Sequence, residues 1–421
     1  MGYIYTLFNK NTPIMDITFD VKRQEIGDII KIHNPEFAPL GIAVEDKDNF
    51  RDNLSDWWES RAVSDTRKHV HWMLSMLQET KQRFLIQSMG LSLSDQYWVK
   101  EQGSDVSWKD VNFFTNDFSP VVGEMFFSSA SPSGEIGDYT SPDWTLNGTL
   151  EKCWRIQDGG RVLCKKGNVV IPQQPYNEKI ASLILKKIGN KNFVPYEVGG
   201  TLEHPYSVCP NFVTENTEYI PATSLKMFFH KSIDTDMYTH FMKCCDALKI
   251  TDKMQKYLDY AIPFDYMIGN VDRNMGNFGL IRNVETLKIE KVAPLFDHGN
   301  SLWYDSLLPE AQEARAFPFR FKQEEQLPLV CDKSVFPIEK VKGIEEIVAF
   351  VLQENPRCCV AGRDERIASL LSERIKRLED FLDRRKKVKG LGAKSPSRKS
   401  KGKKKPNDPA DGNGGGPAGG R

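Results

Sequence analysis

IGNVDRNMGNFGLI at residues 268–281, followed by APLFDHGNSLW at residues 293–303, is the stretch on which the reading of this sequence turns. Asp272 and Asn277 are separated by four residues, and Asp297 follows twenty residues after Asn277. Phosphoryl transfer needs a positioned nucleophile, a cation holder and charge neutralisation rather than covalent help from the protein. A carboxylate that orients a hydroxyl, then an amide and a second carboxylate that hold a divalent cation, meet those needs. The surroundings add weight. Asp272 follows an apolar helical run, Asn277 precedes the strand-like FGLI, and Asp297 ends the apolar run VAPLF. A hairpin made of two such strands would return Asn277 and Asp297 to one place, where they could share a metal. About one Asp-x-x-x-x-Asn pair is expected by chance in a chain this long. The same residues also read as turn chemistry, an Asx-turn at Asp272 and a strand-end carboxylate at Asp297.

Upstream of this stretch the pattern changes from mixed to β-rich and then to helical. YIYTLF and MDITFDV alternate as strands, and residues 65–78 carry helical apolar spacing. Trp57, Trp58, Trp72, Trp98 and Trp108 fall in this first part and read as core. Residues 121–150, rich in Ser, Gly and Pro, read as a loop or junction. KCWRI and RVLCK flank Gln157-Asp158-Gly159-Gly160, a hairpin signal. NEKIASLILKKIGN predicts a helix capped by Asn177 and ended by Gly189. Strand-like FVPYEVGG and YSVCPNFV follow. From about residue 234 helices dominate, with Pro263 expected to kink one of them, and residues 335–385 are helical again.

The expected fold class is therefore α+β, in the order of a two-lobed protein-kinase-like fold: a β-rich N-lobe, a mostly helical C-lobe and a disordered basic tail. The expected bounds are 1–120 for an N-terminal α+β subdomain, 121–225 for the N-lobe, 226–385 for the C-lobe and 386–421 for the tail. Many α+β proteins share this order of elements.

A kinase site also needs a cation on the phosphates. Lys165 and Lys166 close the strand RVLCK, and alternation sends them to opposite faces, so one of them can point into a cleft. Glu178 on the following helix is placed to hold that lysine. Both lysines also read as solvated strand-end charges. The phosphate-loop candidate is Thr145-Leu146-Asn147-Gly148-Thr149, since no G-x-x-x-x-G-K-[ST] occurs and the single G-x-G-x-x-G, Gly414–Gly419, falls in the Gly-rich tail with no strand before it. His298, beside Asp297, reads as a loop histidine. No H-E-x-x-H or G-x-S-x-G is present, which lowers metalloprotease and hydrolase readings.

The 421 residues carry 57 Lys/Arg and 57 Asp/Glu. That balance hides an asymmetry. Residues 386–421 hold eleven Lys/Arg against two Asp/Glu, so the tail is about +9 and residues 1–385 about −9. An acidic body argues against a nucleic-acid-binding core and leaves the tail as the only candidate tether. The eight cysteines form no C-x-x-C and read as reduced thiols of a cytoplasmic protein. No leader pattern or membrane span is expected.

The stretch that opens this section resembles the HipA-like kinases, a bacterial family of serine/threonine protein kinases. SLSDQYWVK, NFFTNDFS, SPDWTLNG, PYNEKIAS and CPNFVTENTEYIP extend the resemblance over most of residues 90–310, toward the HipA-domain branch of Gram-positive bacteria and their mobile elements. The resemblance implies ATP and Mg2+ as cofactors, a protein substrate, an antitoxin-like partner and no membrane. It implies that Asp272 orients or deprotonates the substrate hydroxyl. Asn277 and Asp297 would be the magnesium ligands, Lys165 the phosphate-binding lysine and Glu178 its helix partner. Glu218, Tyr219 and Ile220 would be the hinge that meets adenine, with Gly148 and Thr149 in the phosphate loop, where the family sometimes autophosphorylates. Asn274 stands where the family often has His, His298 follows Asp297 where eukaryotic kinases have Phe, and Lys166 stands where Gly is frequent. A nucleotide-binding pseudokinase, or a nucleic-acid-associated protein acting through its tail, are the alternative functions.

Overall fold

The computed structural model describes residues 3–20, 25–42, 49–67, 70–128, 140–227, 229, 231–311 and 318–391. The chain divides into two compact units, Met1–Glu379 and Asp380–Arg421. The site described below lies in the first.

Its N-terminal sheet contains β1 (Tyr3–Asn9), β2 (Thr12–Asp20), β3 (Glu25–Ile32) and β4 (Tyr97–Glu101), in the order β3-β2-β1-β4. Alternation along β2 buries Met15, Ile17 and Phe19 against α1 (Phe50–Arg61), as the period-2 pattern requires. Then come α2 (Val70–Leu77), α3 (Lys81–Gln87) and α4 (Trp108–Val111). Trp58, Trp98 and Trp108 are buried and Trp57 is partly so, but Trp72 is 43% exposed. The α2 helix turns Trp72 outward while Met73 faces the core. Residues expected to form only a loop begin instead with α5 (Pro120–Ser128), whose apolar VV and MFF positions pack on the next strand. Residues 129–139 of that predicted junction lie outside the described residues, and 140–150 are irregular apart from a short 3-10 turn at Pro142–Thr145.

The predicted hairpin is β5 (Lys152–Gln157) and β6 (Gly160–Lys166). Asp158 and Gly159 both have positive φ, the backbone of the tight turn that matches strand twist. The following helix, α6 (Gln174–Lys187), begins three residues before the expected cap. Pro175 sits comfortably in its first turn, so Asn177 is inside the helix and free for other partners. With β7 (Glu197–Gly200) and β8 (Pro205–Pro210) the hairpin makes a sheet of order β5-β6-β8-β7.

A third sheet has the order β11-β10-β9. It contains β9 (Thr217–Pro221), β10 (Gly279–Asn283) and β11 (Ile289–Val292). Between β9 and β10 lie α7 (Ala222–Lys226), α8 (Met237–Ala247) and α9 (Thr251–Ile268). Pro263 lies inside α9 without ending it, and Gly269 in the left-handed region terminates it. The short α10 (Gln323–Gln326), α11 (Ile344–Leu352) and α12 (Arg363–Leu391) complete a mostly helical second half after a β-rich first half. The α12 helix runs to Leu391, past the expected start of the tail at 386, because Lys and Arg are good helix formers and carry the last turns. The remaining predicted tail, 392–421, lies outside the described residues. Among the described residues no helix is long and apolar enough to cross a membrane.

Candidate active site

The centre of the site is a lysine between two acids. Lys165 at the end of β6 donates from Nζ to Glu178 Oε1 and, at 2.5 Å, to Asp297 Oδ1. Lys165 is 7% exposed and Glu178 is fully buried. Lys166 leaves the opposite face, where Nζ donates to the Phe127 carbonyl and lies 3.5 Å from Glu151. Alternation along β6 therefore gives the cleft Lys165 alone. Burial works against the Lys165 ammonium, but Asp297 and Glu178 outweigh it and hold its pKa above the ordinary value. Burial alone would raise Asp297, yet Lys165 and Lys152 hold its carboxyl well below the usual range. One ammonium cannot neutralise two acids, and burial pushes Glu178 up. The second Glu178 oxygen accepts the His298 backbone N–H at 2.7 Å. His298 is buried and edge-on to Phe264, and burial pushes its imidazole toward the neutral form.

The loop after α9 supplies the second half. Asp272 Oδ1 accepts from Asn274 Nδ2 at 2.9 Å, and Oδ2 accepts from Asn300 Nδ2 at 3.0 Å. Asn274 thus orients the carboxylate with a donor, as a histidine there could. Burial pushes the Asp272 carboxyl up, with Asn274 and Asn300 opposing. Asn277 Nδ2 donates to the Asp272 carbonyl at 2.8 Å, so its Oδ1 faces away from that bond.

Arg273, which spacing gave no reason to single out, ties the pieces together. Its guanidinium pairs with Asp265 of α9 at 2.9 and 3.0 Å and donates to the carbonyls of Asn277 and Phe296 at 2.9 and 2.6 Å. The β10–β11 hairpin returns the chain as its antiparallel register requires, and Arg273 pins both ends of that excursion. Asp297 sits at φ 58°, a left-handed backbone uncommon for a residue other than glycine. Asn177, freed from capping duty, donates to the carbonyls of Gly299 and Ser301 at 2.9 and 2.7 Å.

Above this centre the segment 145–149 forms a loop with its carbonyls turned to cations. Arg67, buried beneath it, donates to the carbonyls of Leu146, Asn147 and Gly148 at 2.5, 3.3 and 3.3 Å. Lys152 Nζ donates to the Asn147 carbonyl at 2.6 Å. Among the described residues nothing accepts from the N–H groups of Asn147, Gly148 or Thr149. Gly148 has φ 95°, and a Cβ there would stand 2.6 Å from Lys152 Nζ. Asn147 lines the cavity below, and Gly148 and Thr149 are exposed to solvent.

These parts line one cavity of roughly 190 Å3, which includes Asn147, Lys152, Lys165, Tyr219, Asn277 and Asp297. Its apolar lining includes Trp154, Leu163, Tyr196 and Phe296. Of the three expected hinge residues only Tyr219 lines it. Glu218 is buried and paired with Arg282 at 2.6 Å, Ile220 is core, and Tyr219 N–H donates to Ser94 O at 2.9 Å. All three lie in β9, paired with β10, so their backbone is committed. The cavity wall comes instead from Pro210, Asn211, Phe212 and Val213, just after β8.

Asn277 Oδ1 and Asp297 Oδ2 make no hydrogen bond among the described residues. Two hard oxygens from residues that line one cavity fit a magnesium ion completed by phosphate oxygens and water. No group of three or more His, Cys, Asp or Glu among the described residues is placed to hold a metal without such help.

No protein-family model matches the sequence, and no curated protein matches it significantly. Solved structures do match. HipA of Shewanella oneidensis MR-1, from a toxin–antitoxin system and solved with HipB and its operator DNA, is 15% identical over 90% of this chain and 98% of HipA, with a TM-score of 0.55. This chain has a HipA-like kinase fold. The Helicobacter pylori proinflammatory kinase CtkA is 17% identical over 57% of this chain and 95% of CtkA, with a TM-score of 0.44. Within the HipA-like fold, Lys165, Glu178, Asn277 and Asp297 come together, Asp272 stands beside them through Asn300, and Gly148 and Thr149 sit in the loop above.

Proposed function

We propose that this protein is an ATP- and magnesium-dependent kinase that phosphorylates serine or threonine on a protein substrate. The observation that carries the proposal is the buried Lys165–Glu178–Asp297 cluster, with Lys165, Asn277 and Asp297 lining one cavity beside the 145–149 loop. In this reading residues 121–225 form the lobe that holds the nucleotide, and 226–385 form the lobe that presents the substrate. Lys165 binds phosphate oxygens, and Glu178 and its His298 bond keep that ammonium in place. Asp272 accepts the proton of the substrate hydroxyl. The hydroxyl oxygen forms a bond to the γ-phosphorus as the bond from that phosphorus to the bridging oxygen of ADP breaks. A magnesium ion on Asn277 and Asp297 supplies charge neutralisation on the phosphates. The adenine ring takes the apolar space between Leu163 and Phe296, beside the Pro210–Val213 backbone. HipA of S. oneidensis is solved with HipB and operator DNA, and an antitoxin-like protein partner belongs to the same proposal.

Two variants test it. ATP with MgCl2 should raise the melting temperature of the wild type, and Asp297→Ala should abolish that shift. Asp272→Ala should keep the shift and lose radiolabel transfer from γ-labelled ATP by about a hundredfold or more. A shift that survives Asp297→Ala refutes the site. A wild type that shifts but transfers nothing, to itself or to host lysate, makes the protein a nucleotide-binding pseudokinase.

A further inference from the structure

The chain just after β8 is tied to the segment that leads into β4 of the N-terminal sheet. Pro210, Asn211, Phe212 and Val213 line the cavity, and a turn then carries the chain into β9. Asn211 Nδ2 donates to the Leu93 carbonyl at 2.9 Å, and the Tyr219 N–H donates to the Ser94 carbonyl at 2.9 Å. Ser94 itself lines the cavity. Gln96 Nε2 donates to two carbonyls of the turn, that of Thr214 at 2.9 Å and that of Thr217 at 2.6 Å. The backbone of Gln96 is fixed in turn, since its carbonyl accepts the Lys10 N–H at 2.9 Å, and Lys10 Nζ reaches Asn216 Oδ1 at 2.9 Å.

Two observations set Gln96 apart from an ordinary packing residue. Its side chain is fully buried, yet Oε1 meets no donor among the described residues. A buried polar atom left unpaired costs stability, so packing alone does not explain an amide here. The turn also closes without it, because the Thr214 carbonyl already accepts the Thr217 N–H at 3.1 Å. What Gln96 adds is the attachment of that turn to the N-terminal sheet. We propose that Gln96 is a positioning residue for nucleotide binding, which holds residues 211–217 against the N-terminal sheet and so sets the shape of the cavity lining that the base meets. This rests on the kinase reading of the same cavity. Gln96 does not line the cavity and acts through Thr214 and Thr217, whereas Lys165, Asn277 and Asp297 line it independently of this turn. Its effect therefore falls on the base and not on the phosphates, and the N-terminal sheet becomes part of the nucleotide site.

The test compares the full chain with Gln96→Met and Gln96→Glu by calorimetric titration with adenosine and with a non-hydrolysable ATP analogue plus MgCl2. Losing two buried amide bonds should weaken adenosine by about fivefold or more in Gln96→Met, and the ATP analogue by the same factor. Gln96→Glu points a carboxylate at two carbonyls near neutral pH, and a donating carboxylic acid once it is protonated. Burial against acceptors raises the pKa of that acid, so its adenosine affinity should climb toward the wild-type value as the pH falls from about 8 to about 6. Gln96→Met should stay weak over the same range. Lost packing does not produce that pH profile, and the profile decides the matter even where Gln96→Met fails to fold. Adenosine affinity in Gln96→Met within about twofold of the wild type overturns the inference. So does a loss confined to the ATP analogue, or a Gln96→Glu variant whose adenosine affinity does not rise toward low pH. In each of these cases the wild type still binds nucleotide and the kinase reading stands. A wild type that binds neither ligand overturns that reading, and this inference with it.

Discussion

Arg273→Met is the substitution whose consequences the structure fixes most fully. Methionine keeps much of the length and apolar volume of the side chain but removes every donor. Asp265, 8% exposed at its side chain, is left with Asn270 Nδ2 as its side-chain donor among the described residues, at 2.8 Å. Removing one member of a buried ion pair costs about 3–5 kcal/mol, because the other charge stays buried without its counterion. The bonds to the carbonyls of Asn277 and Phe296 add about 1 kcal/mol each. A loss of about 4 kcal/mol or more is a large fraction of the stability of a domain. Urea unfolding followed by circular dichroism, with reversibility checked by dilution, measures it. The two parts separate in a second variant, Arg273→Met with Asp265→Asn. The amide still accepts from Asn270 but is no longer an orphaned charge. About half of the lost stability should return. Nucleotide binding should not, since the carbonyls on either side of the β10–β11 excursion remain unclamped and Asn277 and Asp297 lose their fixed spacing. The reasoning fails if Arg273→Met costs less than about 1 kcal/mol, or if the double variant binds ATP as the wild type does.

Two further outcomes follow from single residues. Burial pushes the Asp143 carboxyl up to about 6, despite bonds from Ser141 Oγ and the Trp154 N–H. Its folded pKa lies above the unfolded one, so the stability it contributes is complete below about 4 and lost as pH rises through about 6, a change of about 3 kcal/mol. Asp143→Asn should remove that slope, and parallel stability profiles for wild type and variant between pH 4 and 7 would refute the assignment. Gly148→Ala places a Cβ on a backbone at φ 95° and against Lys152 Nζ. It should cost about 1–2 kcal/mol of stability by urea titration and weaken ATP binding, and an Ala variant with wild-type affinity contradicts the phosphate-loop assignment.

The parts of the site that were legible in the sequence are those whose geometry is set by short spacing. The turn at Asp158-Gly159 fixes the β5–β6 register, and alternation then separates Lys165 from Lys166. The helix after β6 brings Glu178 to that lysine. The same register already pairs Lys152 with Lys165, so this lysine could have been found by counting back from the turn. The expected hinge is a case of a different kind, since of its three residues Tyr219 alone lines the cavity. Glu218, Tyr219 and Ile220 look extended, and an extended segment does not show whether its N–H groups are free or paired. Their partners are in β10, about sixty residues on, and the acid is neutralised by Arg282. Arg67 is distant in the same sense: it reaches a loop some eighty residues downstream. Asn177 followed ordinary capping preference on paper, but Pro175 started the helix earlier and the side chain went to Gly299 and Ser301.

The charge arithmetic of the whole chain gains its meaning from these non-local residues. A body carrying about −9 over residues 1–385 has reason to keep its cations at the surface, where water stabilises them. Instead Arg67, Lys165 and Arg273 are each at most 7% exposed, and all three sit around the cavity or its loops with half-buried Lys152 among them. Arg273 and Lys165 are matched by buried acids, while Arg67 and Lys152 bond to loop carbonyls and feel Asp143 and Asp297 through space. Each buried cation costs desolvation that a carbonyl only partly offsets, so these acids are what keep the cations inside. In the proposed kinase a polyphosphate entering the cavity would take over part of that compensation, beside the Asn277 and Asp297 oxygens that make no hydrogen bond among the described residues.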